Sequence, residues 1–167
     1  MGGLLQVERQ VLGWFALRNP TLFSPERFPV FNVMVDEGRF YGFPAFGIPG
    51  FKLGRWHHRE ELTSPDSVDR TIHPADRELL HQFARRYFPD GAGEGLQFKT
   101  CLFTNTPDEH FLLERHSPAV SYASACSGHG FKFCSVIGEI LADLALDGAT
   151  RHPIAMFRSD RFSTARG

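Results

Sequence analysis

Cysteine is scarce: Cys101, Cys126 and Cys134 are the only three in 167 residues. An odd, widely spaced trio excludes a disulfide framework, and its plain reading is reduced, buried, small apolar side chains. An excess of either charge is missing too. Lys and Arg number 18 against 19 Asp and Glu, for a net charge of −1. With no basic stripe along any expected element, a nucleic-acid-binding face is excluded. No apolar run approaches the roughly 18–20 residues needed to cross a bilayer. Met1-Gly2-Gly3-Leu4-Leu5 leads at once into Gln6, Glu8 and Arg9 rather than into a signal-peptide core. A cytoplasmic protein with no membrane partner is therefore expected. Internal repeats, low-complexity tracts and long linkers are absent as well.

Apolar and aromatic residues, by contrast, are plentiful. Hydrophobic residues make up 42% of the chain, enough for it to bury a core. Seventeen Phe are many for so small a domain, and some are expected to lie against another domain or a cofactor.

Alternation predicts strands over residues 5–17 and 30–35, with Asp36-Glu37-Gly38 turning the second back into residues 39–43 as a hairpin. Pro44, Gly47, Pro49 and Gly50 mark a loop before another strand at 51–57. Pro74 at a first helical position, Asp76 and Glu78 behind it, the stripe Leu79, Leu80, Phe83, Tyr87 and the pair Arg85-Arg86 predict an amphipathic helix stopped by Pro89. Strands are expected at 96–104, 109–114 and 119–125 as part of an antiparallel sheet, then a helix over 133–146 with Gly148 beyond its end. The tail after Pro153 reads as extended, with frayed last residues. The fold class expected is α+β: a mostly antiparallel sheet and two main helices in one domain spanning residues 1–167.

Several residues have chemistry to offer. Cys101 sits mid-strand, on the core face in one register and in a cleft in the other. Ser127-Gly128-His129-Gly130-Phe131-Lys132-Phe133 opens directly into the second helix. Its glycines would let backbone approach a flat ring, and a helix N-terminus presents unpaired N–H groups to an anion. They are also ordinary turn glycines. Lys132, between two phenylalanines at what reads as a buried helix start, needs a partner for its charge or must snorkel to solvent. Cys126, His129 and Cys134 do not complete a tetrahedral zinc set, so no metal is expected. The spaced lysine and hydroxyl of a phosphate-binding loop are also missing, so nucleotide hydrolysis is unsupported.

Taken with Lys99-Thr100-Cys101-Leu102-Phe103-Thr104, Asp108-Glu109-His110-Phe111 and Tyr41-Gly42-Phe43-Pro44-Ala45-Phe46-Gly47, that run resembles the C-terminal part of the monomeric sarcosine oxidase and N-methyl-tryptophan oxidase family. The resemblance implies FAD, joined to the protein through Cys101, with Gly128, His129, Gly130, Phe131 and Lys132 around the flavin ring and the second helix capping it. It implies that Lys132 holds a substrate carboxylate, Tyr41 lines the pocket, and Lys52 beside the flavin helps oxygen accept electrons. It also implies a pocket histidine, for which His57 is the choice and His58 the competitor, because Arg55-Trp56-His57-His58 carries one extra residue relative to the family. The activity implied is oxidation of an N-methyl or secondary α-amino acid by oxygen, giving imine or aldehyde and hydrogen peroxide. N-methyl-tryptophan, pipecolate and glycated amino acids are alternative substrates. The G-x-G-x-x-G fingerprint that seats an FAD pyrophosphate does not occur, so an N-terminal FAD-binding half acting in trans is the expected partner if the chain is a catalytic subunit. A non-catalytic fragment is the rival reading.

Overall fold

The computed structural model describes residues 3–165. The sequence readings for Met1-Gly2 and for fraying at 166–167 lie outside the described residues. The chain gathers into two compact units, Glu8–Leu102 and Met1–Val7 with Phe103–Gly167.

In the first unit, strands β1 (Gln6–Ala16), β2 (Phe31–Val35), β3 (Gly38–Phe43), β4 (Gly50–Arg55) and β5 (Leu62–Thr63) lie in the order β2-β3-β4-β1-β5, and β6 (Gly95–Asn105) also pairs with β1. The β2–β3 hairpin turns where expected, with Gly38 at φ 126° and opposite Val35. Phe31–Gly42, Phe40–Arg55 and Phe15–Phe51 register the antiparallel neighbours. Because side chains alternate along a strand, this register sorts each strand into two faces.

One face is the core. Val11 and Phe15 of β1, Phe40 of β3, and Phe51 and Leu53 of β4 pack against Leu80, Phe83 and Ala84 of α1 (Pro74–Tyr87). Phe40 and Phe83 stack with centroids 3.8 Å apart, and Phe23, Phe28, Phe31 and Phe88 gather around Phe51. Most of the phenylalanine excess is thus accounted for inside this unit, at about 1.5–3 kcal/mol for each fully buried ring. A short 3-10 turn, Pro20–Phe23, and strand β5 were not anticipated; each is too short to show a period.

A polar device is built into the same face. Arg9 of β1 donates from Nη1 and Nη2 to both oxygens of Asp76 at 3.0 and 2.8 Å, and from Nε and Nη2 to the carbonyls of Asp69 and Thr71. Asp76 also accepts from the backbone N–H of His73, closing the first turn of α1, and meets Nε2 of His58 at 3.1 Å. The acidic first turn read from the sequence is therefore a buried pairing rather than a solvent-side dipole effect. Burial would raise the Asp76 carboxyl, but hydrogen bonds from Arg9 and the His73 backbone outweigh it and hold it well below the usual range. Burial lowers His58, against a smaller upward pull from Asp76.

In the second unit, β7 (Leu112–Ser117) and β8 (Val120–Ser124) form a separate antiparallel hairpin rather than joining β6 in one sheet. The expected strand at 109–114 begins later because Thr106 and Asp108 close a turn: Asp108 Oδ1 accepts from the His110 N–H at 3.1 Å, and Glu109 takes φ 58°. Helix α2 (Cys134–Leu146) lays Ile140 and Leu144 on Phe111 and Leu113, and Gly148 ends it at φ 74°. The tail is not extended. It coils into 3-10 turns at Ala155–Phe157 and Ser159–Ala165, held by a two-pronged Arg161–Asp108 pair at 2.7 and 3.0 Å and by Ser159 donating to Glu114. Among the described residues, no helix is long and apolar enough to cross a membrane.

Asp76→Asn leaves a buried guanidinium short of its counter-charge and is expected to cost about 3–5 kcal/mol. Both His58 and Asp76 have lowered values in the fold, so their stabilisation is complete above their unfolded values and is lost as pH falls, first below about 6.5 for His58 and then below the carboxylate range for Asp76. Urea midpoints measured from neutral to acid pH check this: the wild type should fall with acid, and Asp76→Asn should lose the part of the fall that belongs to the carboxylate while keeping the part below about 6.5 that belongs to His58. A midpoint that ignores pH across this window contradicts it.

Candidate functional site

The sheet face turned away from α1 carries most of the residues the sequence singled out in the first unit. Trp14, Lys52 and Phe43 are cross-strand neighbours, and Lys52 Nζ lies 5.3 Å from the Trp14 ring centroid and 4.8 Å from that of Phe43. Its cation thus rests between two aromatic faces. In the next row Tyr41 stands opposite Gly54, whose missing side chain makes room for the ring: a Cβ there would sit 2.4 Å from the Tyr41 ring. Burial, with a smaller contribution from Cys101, pushes the Tyr41 phenol up to about 12, so it is a neutral hydrogen-bonding group at physiological pH.

Cys101 belongs to this face as well. Phe98, three residues earlier on β6, meets Phe15 on the core side, and strand alternation sends Cys101 to the other. The cysteine is exposed, as are Cys126 and Cys134, so the expectation of three buried small apolar thiols is corrected.

The two histidines after β4 part company. His58 is fully buried and bound to Asp76 on the core side, whereas His57, 31% exposed, turns its Nδ1 to Glu8 Oε2 at 2.5 Å. Glu8 and Trp14 carry no role in the sequence reading, and Phe43 appears there only within the motif around Tyr41. Alternation along β1 puts Glu8 and Trp14 on one face, but only the cross-strand register shows what they meet.

In the second unit the structure brings two motifs together. Ser127 N–H donates to the Thr104 carbonyl, its Oγ accepts from Thr106 N–H, and His129 lies with Nε2 3.0 Å from the Glu109 carbonyl and its ring 4.8 Å from that of Phe111. Ser127 and Gly128 take φ of 45° and 71°. Much of the glycine requirement is internal: a Cβ on Gly130 would fall 1.5 Å from the Ala125 carbonyl oxygen, and one on Gly128 2.6 Å from the Phe103 ring. The helix start is not buried, which corrects the reading of Lys132. Phe131 is 93% exposed, Lys132 is exposed, and its Nζ lies 5.3 Å from the centroid of the Phe133 ring.

Residues 4–144 match the model of the FAD dependent oxidoreductase family, also called DAO. The chain belongs to that family. It is 40% identical to monomeric sarcosine oxidase of Bacillus sp. (strain NS-129) over 94% of its own length and 41% of the relative's. To the N-methyl-L-tryptophan oxidase of Salmonella dublin it is 32% identical over 95% of the chain and 43% of that protein. The chain thus spans less than half the length of these relatives. In fold it is similar to NikD, an amino acid oxidase of nikkomycin biosynthesis, at TM-score 0.72 and 18% identity, with 93% of this chain and 42% of the other covered. The fructosamine oxidase Amadoriase II of Aspergillus fumigatus gives TM-score 0.71 at 18% identity, over 93% and 38%.

Gly130→Ala is expected to destabilise the second unit by about 1–3 kcal/mol or more, because the atom its methyl meets is backbone and cannot rotate away. Thermal unfolding followed by circular dichroism checks this, and an unchanged melting temperature contradicts the close approach.

Proposed function

We propose that the chain supplies the catalytic and flavin-capping part of an FAD-dependent oxidase of N-methyl or other secondary α-amino acids, whose products are an imine, hydrolysed to an aldehyde, and hydrogen peroxide. The observation that carries this reading is the gathering of Tyr41, Lys52 and an exposed Cys101 on one sheet face in a chain of this family. The residues fit the ring end of FAD. In the first unit Cys101 offers an accessible thiol for a thioether and Lys52 a cation held over aromatic rings; the second unit, taken by itself, offers backbone from Gly128 through Lys132 and a helix start that no side chain caps. When bound, the flavin accepts hydride equivalents from the carbon attached to nitrogen and passes electrons to oxygen.

In this reading the protein orients and tunes. Lys132 holds the substrate carboxylate by a charge-assisted contact, which suits an ammonium that reaches solvent. Tyr41, kept neutral by burial, and His57 shape the amine end. Lys52 stabilises charge that develops on oxygen. Small-molecule amino acid and oxygen are the reactants. No G-x-G-x-x-G run occurs among these residues, so the pyrophosphate seat would come from an FAD-binding half outside them, in trans or in the same polypeptide. Three free thiols suit the reducing cytoplasm.

A second reading, a non-catalytic fragment or subunit, is favoured by the span of the chain, 41% of the sarcosine oxidase of Bacillus sp.. Co-expression with an FAD-binding half separates them: flavin that copurifies and peroxide formed from sarcosine support the enzyme, and their absence supports the second.

In that assembly Cys101→Ser is expected to leave the flavin extractable by acid, while Cys126→Ser and Cys134→Ser retain it. Acid-stable flavin in the Cys101 variant contradicts the attachment. The lysines should divide by half-reaction. Lys52→Met should slow reoxidation by oxygen about 10²-fold or more with little change in reduction, and Lys132→Ala should weaken carboxylate substrates by about ten- to a hundredfold. Stopped-flow traces of both half-reactions check this; equal losses in both steps for both variants contradict it.

A further inference from the structure

Against α1, on the sheet face opposite Tyr41 and Lys52, lies a cavity of about 420 Å³ to which the proposed chemistry gives no role. It belongs wholly to the first unit. Phe40 of β3 and Phe83 of α1, stacked with centroids 3.8 Å apart, give it an apolar floor, extended by Leu79 one turn earlier on the helix. Arg55 of β4, the cross-strand neighbour of Phe40, stands in its wall. Its Nη1 donates to the carbonyls of His57 and His58 at 3.3 and 2.8 Å, which fixes the guanidinium. Nε is buried without an acceptor beside Gly38, where a Cβ would come within 2.8 Å of it. Nη2 also meets no acceptor among the described residues, but it is not buried. The carboxylate that lines the same cavity is already committed: Glu37 accepts from Arg86 Nη1 at 2.6 Å and from the Tyr87 hydroxyl at 3.0 Å. Arg55 is thus a cation held in place, with an open donor beside apolar rings.

We propose that this cavity binds a small monocarboxylate with a flat apolar body, its oxygen accepting from Nη2 of Arg55 and its body lying against Phe40, Leu79 and Phe83. The volume falls within the range of small-molecule sites, about 300–1,000 Å³. A guanidinium already fixed at Nη1 has little freedom left to lose on binding, and its bond to a carboxylate is charge-assisted. The charged groups facing the cavity are the guanidiniums of Arg55 and Arg86 and the carboxylate of Glu37, two positive charges against one negative. That balance suits a monoanion better than a phosphate dianion, and the apolar floor selects against an anion that has no hydrophobic part. The ligand is not the amine proposed for oxidation, because the sheet lies between this cavity and the face of Tyr41 and Lys52. The proposal therefore stands whether or not the chain takes up flavin.

The test is a nitrogen-15 NMR titration of the 167-residue chain at neutral pH with three probes: 2-naphthoate, 2-naphthamide, which keeps the rings without the charge, and acetate, which keeps the charge without the rings. Naphthoate should shift the backbone amides of Gly38, Arg55 and Phe83 saturably, while the indole N–H of Trp14 on the far face stays in place. Naphthamide and acetate should each bind at least about tenfold more weakly. Arg55→Met should weaken naphthoate by about tenfold or more and leave naphthamide nearly unchanged. Gln82→Glu, at an exposed position of α1 that lines the cavity, leaves Arg55 intact and adds a negative charge to the wall. It should weaken naphthoate about three- to tenfold without affecting naphthamide, and it decides the matter if Arg55→Met does not fold. Naphthoate that produces no saturable shift, that moves Trp14 instead, or that binds no better than naphthamide overturns the proposal, as does undiminished naphthoate binding in either folded variant.

Discussion

The first unit depends on one strand that must satisfy two faces at once. Along β1, Arg9, Val11 and Phe15 point to α1 while Glu8 and Trp14 point away, and a slip of one residue would exchange them. Such a slip would put Phe15 beside Lys52 and bury Trp14 and Glu8 against the helix. The pairs that pin the register are Arg9 with Asp76 on one side and Trp14 with Lys52 on the other. The core that gives the unit its stability and the residues proposed for chemistry are therefore specified by the same alternation.

The Arg9–Asp76 pair carries a further consequence. A buried ion pair is weak evidence of net stability, since desolvation offsets much of its attraction, but it is costly to break and thus selects one arrangement. Here it ties β1 to the first turn of α1 and gives the buried His58 a partner, whose upward pull works against the lowering that burial imposes on the imidazole. With His58 so committed, its neighbour is the histidine left on the other face. A similar economy operates in the second unit, where the turn through Asp108 is shared by the tail, through Arg161, and the glycine segment ahead of α2 packs on the same stretch, through His129.

Much of this was legible in the residues. The long strands, the β2–β3 hairpin and both helices announced themselves because alternation, Asp-Glu-Gly, Pro74 and Gly148 each act locally. What depended on distant partners did not. The turn at Thr106 and Asp108 displaced β7, the coiled tail needed Arg161 to find Asp108, and β5 was too short to show a pattern. Site residues divided likewise: Tyr41, Lys52 and Cys101 came from motifs, while Glu8 became visible only when the register placed His57 against it. The exposure of Lys132 and of all three cysteines shows the limit of reading burial from apolar neighbours.

The claim that the face opposite α1 receives the flavin is tested most directly by hydroxyl-radical footprinting of the chain alone and of its assembly with an FAD-binding half and FAD. Protection should concentrate on Trp14, Tyr41, Phe43 and Cys101, with the outer side of α1 at Tyr87 unchanged. Unaltered reactivity at those four residues in a flavin-loaded assembly, with protection falling on α1 instead, would contradict it.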